Sequence, residues 1–382
     1  MAILLSLIPD LNTALWMLQN AQVDGDGRYY YVMRDGSKVI FTVEPKLQAM
    51  INSLLSTYPK EYVGLALIDA TSGRILAIGG RFKGAPSLRS FKMNDYPAAS
   101  LFKVITSVAA MESLGIGPGD SVDFCGPIYR RRPKRWLNCR GEPYRTTLAM
   151  AFGTSNNPAF GRLAVRIGSG PIRDVAERFF YDDTLLGLPM GYVEWDSVRT
   201  VEDLALLGSG FAYSYMNPVQ AILIGEAMAT GIVWRPYVVD RIERGDSLLI
   251  RTSPTAVGFP IGEPTLVKLR ELARATVDSG TVRKVFHDRE GRRLLPVSVG
   301  GKTGTLRSRK YGGLTEWFVG FAPVENPRVV VVAFSMDGTY NNVKTAYLAM
   351  RALQGYFMGK FVGNPVSFKR FIRRKRRRSR GG

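Results

Sequence analysis

Histidine is almost missing from this chain. His287 is the only one in 382 residues, and it sits in a polar, turn-like stretch, HDREG. A Ser-His-Asp hydrolase would have to be built on that residue, and a histidine-rich metal site cannot be assembled. Cysteine is nearly as scarce: Cys125 and Cys139 are too few for a zinc finger. Acidic residues are in short supply, 32 against 52 Lys and Arg, giving a formal net charge of +20. Such an excess implies anionic partners or a local concentration of charge. The longest apolar stretch near the start, Ala2 to Ile8, is far shorter than the roughly 20 residues of a membrane helix. It also lacks the basic flank and small-residue cleavage site of a secretory signal. No export signal or anchor is therefore expected in the chain as written.

What is present is a globular composition, 46% hydrophobic and 22% charged, in a length that suits two or three ordinary domains or one large one. The charge is concentrated. From Lys369 the chain reads KRFIRRKRRRSRGG, with nine basic residues and no acid, and a second basic run, RRRPKR, spans Arg130 to Arg135. No internal repeat is visible. Residues 1–40 read as a short lead-in. A strand over 37–43 and a helix over 46–57 follow, and VGLALIDATSGRILAIGG reads as a hairpin around Thr-Ser-Gly. The pattern predicts a helix over 99–114, stopped by Gly115, and a mostly helical middle from about 145 to 235. VSVGGKTGTL, TEWFVGFA and RVVVVAFSM read as strands, with a turn at Gly312-Gly313, and a last helix covers about 343–357. Strands at both ends with helices between indicate an α+β domain whose antiparallel sheet joins the two ends, plus a mostly helical subdomain.

Three short motifs carry the chemistry. Ser100-Leu101-Phe102-Lys103 places a serine and a lysine three apart, on one helix face. By chance S-x-x-K occurs about once in such a chain. Here Leu101, Phe102, Val104, Ile105, Val108, Ala109 and Met111 wrap the helix in apolar side chains, and Lys103 is the one charged residue between Asp95 and Glu112. A helix apolar all round is buried, and burial lowers a lysine's pKa until its neutral amine can act as a base. A serine at the helix start also meets free backbone N–H groups that can hold an oxyanion. The pair is what an activated serine needs where no histidine serves. Ser155-Asn156-Asn157 is a second motif, S-x-N, equally readable as a helix cap or turn. Lys302-Thr303-Gly304-Thr305 contains K-T-G, a tripeptide expected about 0.05 times per chain.

S-x-x-K, S-x-N and K-T-G in that order are the motif set of penicillin-binding proteins and class A β-lactamases. The chain resembles the penicillin-binding transpeptidase family from about Phe41 to Phe361. FTVEPKLQ and VGLALIDATSGRILAIGG look like the opening of the transpeptidase domain of class A-type enzymes. MNPVQAILIGEAMATG, SGTVRKVF, GGKTGT and EWFVGFAP look like its later segments. The segment before the serine is PAAS, where many relatives have Gly. Nothing before residue 41 could hold a glycosyltransferase domain, so the expected division is a lead-in over 1–40, a transpeptidase domain over 41–362 and a basic tail over 363–382.

The resemblance implies a serine D,D-transpeptidase that cross-links peptidoglycan stem peptides in the cell envelope and is acylated by β-lactams. Ser100 would be the nucleophile, Lys103 its base and Ser155 the proton relay. Asn157 would hold the substrate or Lys103. Lys302 would keep the site electropositive, Thr303 and Thr305 would bind the donor carboxylate with Gly304 between them as part of the substrate-binding set, and the backbone N–H groups of Ser100 and Thr305 would form the oxyanion hole. No metal or cofactor is implied. Cys125 and Cys139 look like the Cys-containing hairpin of some relatives, and in an oxidising compartment they would form a disulfide.

Other readings remain open. A D,D-carboxypeptidase shares the motifs. A class A β-lactamase needs a glutamate between S-x-N and K-T-G with an asparagine four residues on, but Glu194 and Glu202 are followed there by Val198 and Leu206. Of the two Y-x-N sequences used by another lactamase class, Tyr215-Met216-Asn217 is in order and Tyr340-Asn341-Asn342 is not. A non-catalytic penicillin sensor and a basic nucleic-acid-binding protein complete the set. The 369–382 tail is expected to bind an anionic membrane surface or another polyanion. No specific nucleic acid is expected, since few aromatics interleave its arginines.

Overall fold

The computed structural model describes residues 8–58, 60–308, 312–337 and 345–361. Its centre is a six-stranded antiparallel sheet. Three strands come early in the chain: β1 (Tyr62–Asp69), β2 (Ile75–Phe82) and β3 (Ala85–Pro86). Three come late: β4 (Gly300–Arg307), β5 (Leu314–Ala322) and β6 (Val329–Asp337). The order across the sheet is β4-β5-β6-β1-β2-β3. The seam is β6 on β1, with Val332 opposite Ala66 and Phe334 opposite Gly64. The sheet therefore joins the two ends of the chain, and β1–β2 is the hairpin legible in the sequence.

Both faces of this sheet are covered, which is why its strands read as nearly unbroken apolar runs. Side chains alternate along a strand. Val63, Leu65 and Leu67 enter one apolar cluster, while Ala66 and Ile68 enter another. Helices α1 (Pro45–Ser56) and α7 (Thr345–Met358) fill the first through Leu47, Ile51, Leu54, Leu348 and Leu353. On the other face lies α5 (Pro218–Thr230), buried from Pro218 to Ala229. The mostly helical middle includes α2 (Lys103–Leu114), α3 (Asn157–Ile167) and α4 (Val201–Gly208), and α6 (Glu263–Asp278) packs beside β4. Trp317 and Phe334 extend this core to the sheet.

The segment read as a lead-in is packed into the molecule. A helix over Leu11–Gln19 buries Leu11, Leu15 and Leu18 in the main cluster. The strand Lys38–Phe41 pairs with Val239–Arg244 in a separate five-stranded sheet. Among the described residues no helix is long and apolar enough to cross a membrane. The basic tail from Lys369 lies outside the described residues.

Candidate active site

The turn carrying Ser100 differs from the uniform helix that the pattern predicts. A 3-10 turn spans Ala99–Phe102, and α2 begins only at Lys103. Residues three apart eclipse in a 3-10 turn, whereas an α-helix offsets them. The result is a distance of 2.8 Å between Lys103 Nζ and Ser100 Oγ. Ala99 takes φ +51°, a left-handed conformation that costs an alanine about 1–2 kcal/mol. Its neighbours hold it there. The Ala98 N–H donates to the Ser214 carbonyl at 3.0 Å, and Trp317 Nε1 donates to the Pro97 carbonyl at 2.9 Å. Gly210 closes over the turn so tightly that a Cβ there would lie 2.0 Å from the Ala99 carbonyl oxygen.

Lys103 is wholly buried, and no carboxylate pairs with it among the described residues. Besides Ser100, Nζ meets Asn157 Oδ1 at 2.7 Å and the Ser209 carbonyl at 2.5 Å, and it lies 5.6 Å from the centre of the Phe160 ring. Burial pushes its pKa well below the ordinary amine value, and the positive charge of Lys302 pushes the same way.

Ser155-Asn156-Asn157 both caps a helix and touches the two lysines. Asn156 is the cap of α3, its Oδ1 accepting the Ala159 N–H at 3.0 Å. Ser155, at φ +56°, and Asn157 face the lysines instead. Asn157 is pinned from behind by donating Nδ2 to the Ile128 carbonyl at 2.7 Å. Lys302, wholly buried on β4, donates to Ser155 Oγ and to the Thr303 carbonyl, both at 3.1 Å. The Phe152 ring lies 5.2 Å away. Desolvation brings the Lys302 pKa down to about 7. The two lysines thus divide the serines: Lys103 lies on Ser100 and Lys302 on Ser155.

β4 is an edge strand, paired on one side with β5 and turned toward the Ser100 turn on the other. Thr303 is half-buried, its hydroxyl 2.9 Å from that of Thr281, and Thr305 is exposed. Gly304 lies against the turn: a Cβ there would sit 3.2 Å from the Ala99 methyl and 3.3 Å from both the Ala98 carbonyl and Trp317. Seven of the eight residues singled out in the sequence therefore meet in one cluster, and Thr305 stands exposed on the same strand. Sequence reasoning missed the Ser209 and Ile128 carbonyls, the Gly210 clamp and the Thr281 hydroxyl. Backbone carbonyls carry no residue-type signal. Thr281 lies in SGTVRKVF, directly after Ser279-Gly280, a segment the sequence had already singled out.

The other candidates fall elsewhere. Glu194 is exposed, Glu202 lies on α4, and neither hydrogen-bonds to this cluster. Asn217 caps α5, accepting the Gln220 N–H at 2.7 Å and donating to the Pro189 carbonyl at 2.7 Å. Tyr340-Asn341-Asn342 lies outside the described residues. His287 contacts the Arg283 carbonyl at 3.2 Å and Asp278 at 3.7 Å. Cys125 and Cys139 are joined in a disulfide with Cα atoms 5.5 Å apart, where the hairpin Ser121–Phe124 with Tyr144–Thr147 opens into its connecting loop.

The family model "Penicillin binding protein transpeptidase domain" matches residues 63–354. The peptidoglycan D,D-transpeptidase PbpA of Mycobacterium tuberculosis is 27% identical over 255 residues, 64% of this chain and 50% of that protein. Stage V sporulation protein D of Bacillus subtilis is 27% identical over 335 residues, 79% of this chain and 50% of that protein. The chain thus spans about half the length of the curated relatives it matches. Among solved structures, the D,D-transpeptidase domain of a peptidoglycan glycosyltransferase from Eggerthella lenta superimposes with a TM-score of 0.71, at 20% identity over 93% of each chain. A penicillin G acyl-enzyme complex of penicillin-binding protein A from M. tuberculosis superimposes at 0.66, with 21% identity over 83% of this chain and 80% of that one.

Proposed function

The chain belongs to the penicillin-binding protein transpeptidase family, and from that premise we propose that it is a serine D,D-transpeptidase working on peptidoglycan stem peptides in the cell envelope. One observation carries the reading: the surroundings of Lys103 Nζ. Two of its three neighbours, Asn157 Oδ1 and the Ser209 carbonyl, can only accept hydrogen bonds. A neutral amine has two N–H groups and one lone pair. Both N–H groups are taken by the two carbonyls, so the lone pair is left for the Ser100 hydroxyl, 2.8 Å away. Desolvation supplies the neutral form.

The steps follow. Ser100 Oγ attacks the carbonyl carbon of the penultimate D-alanine while its proton passes to Lys103. The backbone N–H groups of Ser100 and Thr305 stabilise the oxyanion. The C–N bond to the terminal D-alanine breaks, and that amine leaves with a proton relayed through Ser155. The remaining ester on Ser100 is attacked by an amine of a neighbouring stem, which frees the serine and forms the cross-link. Lys302 supplies positive potential, and Thr303, Gly304 and Thr305 offer the edge of β4 to the donor. Kinship with class A-type enzymes, carried by FTVEPKLQ and VGLALIDATSGRILAIGG, belongs to this proposal, as do the domain boundaries at 41 and 362 and an anionic-surface role for the 369–382 tail.

The test is labelling with a fluorescent penicillin. The wild type takes up one label per chain, Ser100→Ala none, and Lys103→Met at most a trace. A label on Ser100→Ala would overturn the assignment.

A further inference from the structure

The basic run Arg130–Arg135 is unused by the chemistry above, yet it lies on a loop hydrogen-bonded to the same site. Arg130, Arg131, Arg132, Lys134 and Arg135 are all exposed. None of them has an ion-pair partner among the described residues, whereas Arg145 across the hairpin is paired with Asp123 at 3.4 Å. Five cations in six residues repel one another, and an ordinary solvated loop would relax by spreading. This one is prevented from doing so. The Cys125–Cys139 disulfide closes its base. Trp136 is wholly buried beneath it, and Arg162 donates to the Trp136 and Leu137 carbonyls at 3.1 and 3.2 Å.

The loop is also tied to the catalytic cluster. Its Ile128 carbonyl accepts from Asn157, the residue that orients Lys103, and Tyr129 donates its hydroxyl to the Thr154 carbonyl at 3.3 Å, next to Ser155. Arg130 follows directly, two residues and at most about 7 Å of chain beyond Ile128. Unpaired guanidiniums on a loop anchored to Asn157 and Thr154 match carboxylates, which they bind in a bidentate fork.

We propose that the stapled loop 126–138 is an anion-binding rim of this site, taking side carboxylates of the peptide acyl donor on Arg130, Arg131 and Arg132. The proposal rests on Ser100 being the nucleophile, and the experiment separates the two. Two thioester peptide donors are used, identical except that one carries two free side carboxylates and the other their amides. Each acylation rate is divided by the penicillin acylation rate of the same preparation. The wild type favours the carboxylate donor by roughly tenfold at low salt, since each exposed pair contributes up to about fivefold, and the preference shrinks as sodium chloride is raised. The triple variant Arg130→Gln, Arg131→Gln, Arg132→Gln brings the ratio of the two donors to near one. An undiminished preference in that variant overturns the proposal. Should the variant not fold, a wild-type preference that is flat in salt overturns it equally. If penicillin fails to label the wild type, the nucleophile reading has failed instead. Fluorescence anisotropy of the labelled carboxylate peptide against its amide then reads the loop without chemistry, and equal binding refutes the rim. Equal donor rates together with salt-sensitive retention of DNA would make the loop a polyanion site and overturn the proposal.

Discussion

Lys103 and Lys302, buried without carboxylate partners among the described residues, give the active site its own pH dependence. Lys302 is the clearer case, its pKa pushed from 10.5 to about 7 by burial. Between those values the unfolded chain binds a proton that the folded chain does not. The Lys302 contribution to unfolding free energy therefore rises with pH across that window and is lowest below pH 7, where the folded protein must bury the charge. One such group contributes up to about 1.4 kcal/mol per pH unit. The urea midpoint is expected to climb more steeply between pH 7 and 10 in the wild type than in Lys302→Met, and parallel curves would refute this. The same variant bears on the chemistry. Lys103 is shifted down first by desolvation and then by the charge of Lys302. Removing that charge lets the Lys103 pKa rise. The acid limb of the pH profile for penicillin acylation should move to higher pH, with the plateau lower by roughly 100-fold from the lost electrostatic contact. A limb that stays in place would mean the two lysines are uncoupled.

At the scale of elements, the nucleophile is aimed by a clamp and a staple. The clamp is Gly210, at φ +73° and pressed on the Ala99 carbonyl. Gly210→Ala combines a left-handed alanine, about 1–2 kcal/mol, with overpacking of about 1–3 kcal/mol. It should lower stability by about 2–5 kcal/mol and slow acylation. Gly84 is the control, with φ +81° and nothing within 4 Å of a Cβ. Gly84→Ala should cost only the conformational part and leave acylation alone, and equal effects from the two substitutions would remove the clamp from the account. The staple is the disulfide. Closing a loop of sequence separation 14 is worth about 3 kcal/mol in the chain-entropy model. Reduction should lower the denaturation midpoint accordingly, and it should slow acylation because Asn157 leans on Ile128 inside that loop. Acylation that is indifferent to reduction would show that the hydrogen bond does not orient Asn157.

Across the whole molecule, the site is the crevice between the edge of the six-stranded sheet and the helical middle, assembled from residues 100, 155, 209 and 302. Among the described residues, no carboxylate hydrogen-bonds to Ser100, Lys103, Ser155 or Lys302. A water molecule near an acyl-Ser100 ester therefore finds no carboxylate base of the lactamase type. The fluorescent penicillin label should survive a chase with unlabelled drug for many minutes. Loss within seconds would favour the lactamase reading, and release as free acid from a peptide donor without cross-linking would favour a carboxypeptidase.

What the sequence determined by itself was everything that repeats along the chain or is rare in it. Nearly unbroken apolar runs marked β1, β2, β5 and β6, because a sheet covered on both faces buries every side chain along a strand. Lys103, alone among apolar neighbours, declared a buried amine, and the rarity of K-T-G located Lys302. The tertiary structure alone decided which atoms those amines meet. The 3-10 start of the Ser100 turn depends on Gly210 and Trp317, which arrive from more than 100 residues away. The pairing of Lys103 with Ser100 and of Lys302 with Ser155 depends on how β4 docks against that turn. The Ser209 and Ile128 carbonyls were invisible beforehand, because every residue carries a carbonyl and only packing decides where it points.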